Sequence, residues 1–395
     1  MRSWFCLNTS CLFDIGIQIV KNTVDEIGFQ VLVGGGLGRT PVIGSVIREF
    51  LPQEDLLTYL DAILRVYNRH GNRANKYKAR IKILVKAWTP EVFAQEVEDE
   101  WEYTKKTLGK LTQGEIDRVK DFFTQQPYEV LDGKDLDQKL TASESKNVAF
   151  DKWLQRNTRE HKVDGYSSVT LSLKPTGVAP GDVTDSQLEA VANLADAYSF
   201  GEIRATHNQN LVLADVKKSD LFELWKKAKK DGFATPNIGT LTDIICCPGG
   251  DFCSLANAKS IPIAEAIQRK FDKIDYVHDL GDLSLNISGC MNACGHHHVG
   301  NIGILGVDKK GAEFYQIQLG GSSGADASLG GVLGPSFGEN EVPDVIEKIL
   351  NIYVDRRKGD ELFIDTYRRL GADPFKEKVY PKNKKVPAQK QEKGV

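Results

Sequence analysis

The most specific chemistry in the sequence lies in two pairs of closely spaced thiols, Cys247-Pro-Gly-Gly-Asp-Phe-Cys253 and Cys290-Met-Asn-Ala-Cys294. Each pair brackets turn-forming residues, so two loops can bring four thiolates around one centre. A 4Fe-4S cluster needs four such ligands, with backbone N–H groups turned toward the sulfurs to offset the cluster's negative charge. Gly249, Gly250 and Gly295 permit that close backbone approach. A helix opening at Cys253, over Ser-Leu-Ala-Asn-Ala-Lys, would further favour thiolate over thiol. A structural zinc site and buried, unligated thiols are the competing readings, and zinc motifs usually carry a tighter spacing than that from Cys247 to Cys253. Cys246 meets the same spacing argument as Cys247, although only Cys247 leads into the Pro-Gly turn. Cys6 and Cys11 read as incidental.

Other chemistry-bearing strings are weaker. The consecutive His296, His297 and His298 point in different directions, so at most one or two could line a site, and pairing with polar groups is the plainer reading. Gly34-Gly35-Gly36-Leu37-Gly38-Arg39 lacks the final glycine of a dinucleotide fingerprint. Gly320-Gly321-Ser322-Ser323-Gly324 formally matches a nucleophile elbow, yet all seven histidines precede it, whereas that fold places its histidine after the serine. Lys78, Arg80 and Lys82 alternate along Lys78–Val85, which predicts a strand with one basic face, solvated on sequence grounds alone.

The elements that must position these residues belong to a 395-residue chain, long enough for two or three domains with sizeable cores. Its 51 Lys and Arg against 54 Asp and Glu leave a net charge of -3, so no global basic field calls for nucleic acid or a membrane surface. No apolar run approaches the roughly 18 residues of a membrane span. An odd, clustered set of seven cysteines without a recognisable export signal reads as reduced thiols in the cytoplasm.

The chain also matches itself. Phe29–Tyr67 lies over Tyr315–Tyr353 without a gap, pairing Gly34 with Gly320, Gly35 with Gly321, Gly38 with Gly324 and Gly44 with Gly330. Each copy reads as strand, Gly-rich loop and amphipathic helix, and Asp14–Ile17 over Asn301–Ile304 adds one more strand. Between the copies, 90–157 is charged and helical in pattern. From 165 onward the order strand, helix, strand, strand, helix suits a ferredoxin-like α+β layer. The expected organisation is α+β: an atypical segment 1–13, the end of a first repeat over 14–87, a helical connector over 88–160, a ferredoxin-like half-domain over 161–235, a second repeat with the cysteines over 236–375, and a Lys-rich tail over 376–395.

The strings CPGGDFC and GCMNACG, Asn292 within the second of them, the Asn-Ile-Gly-Ile strand after it, and Thr206, Asn208 and Gln209 resemble the sirohaem and 4Fe-4S sulfite and nitrite reductase family over about 14–375. The resemblance implies that Cys247, Cys253, Cys290 and Cys294 hold the cluster and that Cys294 also ligates the sirohaem iron. It implies cofactor contacts for Asn292, Thr206, Asn208 and Gln209. Arg80 and Lys82 match the family's substrate-binding basic pair, with Lys82 favouring sulfite over nitrite. The implied function is six-electron reduction of a small oxyanion, sulfite first and nitrite second, with electrons from a ferredoxin or flavoprotein partner, since no flavin or nicotinamide fingerprint is present. Family members carry a first ferredoxin-like half and two further substrate-binding arginines ahead of what aligns with Asp14, so the chain reads as lacking that part. A non-catalytic iron-sulfur electron-transfer module is the reading of a different class.

Overall fold

The computed structural model describes residues 9–123, 126–131, 147–324 and 326–381; Cys6 and most of the Lys-rich tail lie outside them. Two sheets carry the internal repeat. The first holds β1 (Ile15–Lys21), β2 (Ile27–Val33) and β3 (Ser45–Pro52) in that order. The second runs β12 (Gly331–Val332), β11 (Ala312–Leu319), β10 (Ile302–Lys309), β9 (Leu285–Ser288) and β8 (Ile245–Cys246).

The hairpins share one register: Ile15 pairs with Val33 and Ile17 with Val31, as Ile302 pairs with Leu319 and Ile304 with Ile317. The correspondence starts earlier than the side chains suggest. A 3-10 turn at Ser10–Leu12 takes the place that His297–Val299 takes in the second copy. The Gly44 N–H donates to Cys11 O at 2.6 Å, and the Gly330 N–H to His298 O at 2.7 Å. A Cβ at Gly16 would fall 2.2 Å from Ser10 O, and one at Gly303 2.0 Å from His297 O. Both glycines are therefore demanded by the same turn pressing on the same strand. Ser-Cys-Leu and His-His-Val share no side chain, so only the backbone reveals the match.

The copies differ at one edge. In the second sheet β9 runs parallel beside β10. Among the described residues no strand lies beyond β1 in the first. Ile304 is fully buried, whereas its counterpart Ile17 is 38% exposed, and Ile19 further along β1 is 75% exposed.

Helices cover the other face. α1 (Leu56–His70) buries Tyr59, Ala62, Ile63 and Val66, a one-sided stripe, against Val31, Val33 and Leu51 of the first sheet. α3 (Pro90–Thr107) adds Phe93, Val97 and Trp101 to the same core. The Trp101 indole N–H donates to Thr58 Oγ1 at 3.0 Å, which satisfies its one polar atom. The helical stretch between the repeats is thus shared out, because the helix Val148–Asn157 sends Phe150 and Trp153 into the next unit's core.

One element departs from expectation. The predicted basic strand Lys78–Val85 is instead a 3-10 turn, Lys76–Lys78, followed by α2 (Ile81–Trp88), with Arg80 at the N-cap. Ile81, Leu84, Val85 and Trp88 recur at helical spacing, and the first three are buried against the α1 and α3 core. That apolar period of three and four outweighs the alternation of cations laid over it.

The middle unit follows the expected order. β4 (Thr158–Glu160), β5 (Tyr166–Leu171), β7 (Leu211–Lys217) and β6 (Arg204–Ala205) form one antiparallel sheet in that order. The helices Asp185–Tyr198 and Leu221–Lys230 pack on it. A capping box of Thr184 and Gln187 sets the first helix's start. The second repeat has the largest core, built on Ile287, Ile302, Ile304 and Ile317 beneath the helices Ile261–Lys270 and Val342–Arg356. The repeats meet through Cys11, Leu12, Leu32 and Val299. Among the described residues no helix is long and apolar enough to cross a membrane.

Candidate metal centre

Both cysteine loops grow from the ends of parallel strands. Cys247 continues β8, its N–H donating to Ile287 O at 3.1 Å. Gly249, at φ +60°, then starts a helical turn, Gly249–Phe252, that delivers Cys253. A Cβ at Gly249 would stand 2.4 Å from Ser260 N, so only glycine permits this approach. The helix expected to open at Cys253 does not form there. Cys253 closes the turn, and the next helix starts at Ile261, with Pro262 in its first turn.

The second loop leaves β9. Gly289 O receives the N–H groups of Asn257 and Ala258 at 2.8 and 3.0 Å, which ties the two loops together. Ala293 and His296 both take left-handed φ values, +60° and +54°, on either side of Cys294. The Gly295 N–H donates to Ser288 Oγ at 3.1 Å, and Asn286 Nδ2 donates to Gly295 O at 3.0 Å. These side chains hold the strained turn in place.

The four thiols converge. Cys294 lies close enough to Cys247, Cys290 and Cys253 that all three raise its pKa, after burial as the largest cause. The Gly289 N–H donates to Cys247 Sγ at 3.1 Å, the kind of contact that a negatively charged cluster requires. Among the described residues no three Cys, His, Asp or Glu groups are gathered as a single-ion site. Four thiols from two loops match in kind and number the ligand set that a 4Fe-4S cluster takes. Cys290 is buried, whereas Cys294 is the exposed member of the four. Cys246 points the other way, into the core at 3% exposure, and burial pushes its thiol well above the ordinary range. Adjacent residues of a strand face opposite sides, which separates Cys247 from Cys246 where spacing could not.

The remaining predicted residues are placed as follows. Asn292 sits exposed in the turn between Cys290 and Cys294. Thr206 Oγ1 closes its own hairpin, donating to Asn210 O at 3.1 Å. Asn208 O accepts from Lys174 Nζ. Gln209 reaches the backbone of Cys246. Thr206 and Gln209 also line a cavity of about 380 Å³ with Cys246, Cys247 and Phe252.

Arg80 and Lys82 are not free cations on a strand face. Lys82 Nζ is buried and gives its three donors to Gly36 O, Leu37 O and Thr40 O at 3.3, 3.0 and 2.7 Å. Arg80 forms a two-pronged pair with Asp14, at 2.8 and 3.2 Å. Both secure the Gly-rich loop of the first repeat, whose Gly38 approaches Met291 of the cysteine turn and accepts from His298 Nε2 at 3.0 Å. Lys82→Met should leave three loop carbonyls without their donor and cost about 2 to 3 kcal/mol in urea unfolding. Arg80→Gln, at a half-exposed pair, should cost under about 1 kcal/mol.

Ser288 and Asn286, which brace the second cysteine loop, are not legible as such from residue type, because they bond backbone groups brought together only by the fold.

A nitrite and sulphite reductase 4Fe-4S domain model matches residues 6–105 and 239–387, most of the chain. The chain belongs to the nitrite and sulphite reductase family. The family's ferredoxin-like half-domain matches 159–231, the middle unit. Among curated relatives, a ferredoxin sulfite reductase of Mycolicibacterium paratuberculosis is 27% identical over 91% of this chain and 62% of its own length. An assimilatory ferredoxin-dependent nitrite reductase of Haloferax mediterranei is 26% identical over 93% of this chain and 60% of its own length. The solved structure of Mycobacterium tuberculosis NirA protein shares the fold, with a TM-score of 0.68 at 23% identity, over 93% of this chain and 62% of that one. The chain thus spans about 60% of the length of these two relatives.

Proposed function

We propose that the chain supplies the cluster-bearing part of a sirohaem and 4Fe-4S dependent reductase that converts sulfite to sulfide, with nitrite as the competing substrate. The observation that carries this reading is the convergence of Cys247, Cys253, Cys290 and Cys294, with an N–H donor on one sulfur and Cys294 exposed. Relatives with either substrate in their names are equally similar. The argument for sulfite from Lys82 loses its footing, since that ammonium is spent on loop carbonyls.

Sulfite reduction takes six electrons and six protons, and each of three oxygens leaves as water. When bound, the cluster and sirohaem would supply the electron store and the redox-active iron for that reduction. The chain's own residues do the rest of what this part can do. Cys247, Cys253 and Cys290 would anchor the cluster, the Gly289 N–H would offset its charge, and the exposed Cys294 would face the tetrapyrrole. Arg80 and Lys82 would keep the Gly36–Thr40 loop against the cysteine turn. A ferredoxin is the proposed donor, as in the names of the relatives.

Pigment extraction from the protein isolated anaerobically tests the reading. A sirohaem band together with iron and labile sulfide is expected, with viologen-driven sulfide release from sulfite. An iron-sulfur shoulder without sirohaem would overturn the reductase in favour of an electron-transfer module. Ammonia from nitrite without sulfide from sulfite would reassign the substrate.

A further inference from the structure

We propose that Gln209 is a positioning residue for the cysteine centre: its amide clamps the backbone of Cys246 and so holds the neighbouring Cys247 sulfur in place. The inference rests on the four-thiol reading above. Gln209 Nε2 donates to Cys246 O at 2.7 Å, and the Cys246 N–H donates to Gln209 Oε1 at 2.8 Å. β8 is the outermost strand of its sheet, so this side chain does the work of a further strand on its open edge. Fixing the edge fixes the register. Cys246 then packs into the core while Cys247 faces the centre and accepts from the Gly289 N–H.

The clamp is itself held rigidly. Gln209 sits at φ +57°, a left-handed conformation costly for a residue with a Cβ. The hairpin enforces it through the Gln209 N–H to Thr206 O at 3.1 Å and the Thr206 N–H to Asn210 O at 2.9 Å. Behind it, Gly181 leaves room: a Cβ there would come within 3.1 Å of Gln209 Cβ. The next residue grips the same segment. Asn210 Nδ2 donates to Asp243 Oδ1 at 3.0 Å, and the buried Lys174 pairs with that oxygen at 2.6 Å. The middle unit therefore holds the run into the first cysteine loop at two points, Asp243 and Cys246.

The test uses the full chain, reconstituted anaerobically with iron and sulfide. Gln209→Ala removes both bonds. Gln209→Glu keeps an acceptor for the Cys246 N–H and loses the donor to Cys246 O. Iron loss to a chelator should be on the order of 10-fold faster in Gln209→Ala, intermediate in Gln209→Glu, and accompanied by an altered EPR signature of the reduced cluster. Apoprotein unfolding reports the fold separately. Unchanged chelation rates and EPR spectra in both variants would overturn the clamp. Full retention of iron and sulfide in Cys247→Ser would instead overturn the four-thiol reading on which it rests. Should Gln209→Ala not fold, Gln209→Glu alone decides between an altered and an unaltered spectrum.

Discussion

Cys247→Ser, Cys253→Ser, Cys290→Ser and Cys294→Ser should each strip the anaerobically purified chain of iron and acid-labile sulfide, while Cys246→Ala keeps both. The contrast between Cys246 and Cys247 is the sharpest part of this expectation, since the two residues are adjacent and chemically identical. Only Cys247 receives an N–H from the opposite loop, and only Cys246 lies in the hydrophobic core. Removing a ligand from a four-thiolate cluster leaves one iron without protein coordination, and the loss should exceed any effect of a neighbouring packing residue. Cys246→Ala should cost about 1 to 2 kcal/mol of fold stability through the small void it leaves. Iron and sulfide analysis of the five variants decides the matter. Retention in any of the four serine variants, or loss in Cys246→Ala, would reject the ligand set. If Cys294 also reaches sirohaem, Cys294→Ser should additionally change the haem spectrum.

The second large effect is acid sensitivity centred on His297. Its ring is fully buried and tilted at 42° to the His298 ring, 3.9 Å between centroids, and among the described residues neither nitrogen has a hydrogen-bond partner. Burial, reinforced by His298 and His296, lowers its pKa from 6.5 to about 3. Between those values the unfolded chain binds a proton that the folded chain refuses, so stability rises with pH across that window. It is complete above about pH 6.5 and is lost as pH falls toward about 3. The ceiling is about 5 kcal/mol, from roughly 1.4 kcal/mol per pH unit. His297→Leu removes the titrating group and two unpaired polar atoms, and should flatten unfolding free energy of the apoprotein over that range. Glu361, held down to about 2 by Arg369, adds acid sensitivity of the same sign at lower pH. An unchanged pH profile in His297→Leu would show that the ring is solvated after all.

The pairing of the thiols in two loops is legible in the sequence because side-chain identity and short spacing are local signals. The ferredoxin-like unit was legible for a similar reason, as the Thr184 to Gln187 capping box and the alternation over β5 are local signals. At α2 two periodicities share the same residues. Lys78, Arg80 and Lys82 alternate, but Ile81, Leu84 and Val85 must be buried, and burial decides the conformation. Lys82 then lands among carbonyls that no spacing rule could locate. The backbone bonds of Thr206 and Gln209 are illegible for a different reason: both side chains meet backbone atoms, whose positions leave no trace in residue type. The same holds for Ser10–Leu12, whose equivalence to His297–Val299 is one of peptide groups alone.

Among the described residues the edge at β1 is unpaired, and that has a colloidal consequence. A row of backbone donors and acceptors flanked by Ile17 and Ile19 is a template for strands of any origin, including those of other copies. Natural edges are commonly guarded by inward charges or proline, and along β1 the only charged residue is Lys21 at its far end. In the second sheet the corresponding edge is silenced by β9, whose carbonyl ends also launch the Cys290 to Cys294 turn. A strand paired beside β1 would therefore remove a sticky surface and, in the same act, deliver whatever loop follows it to the seam between the repeats.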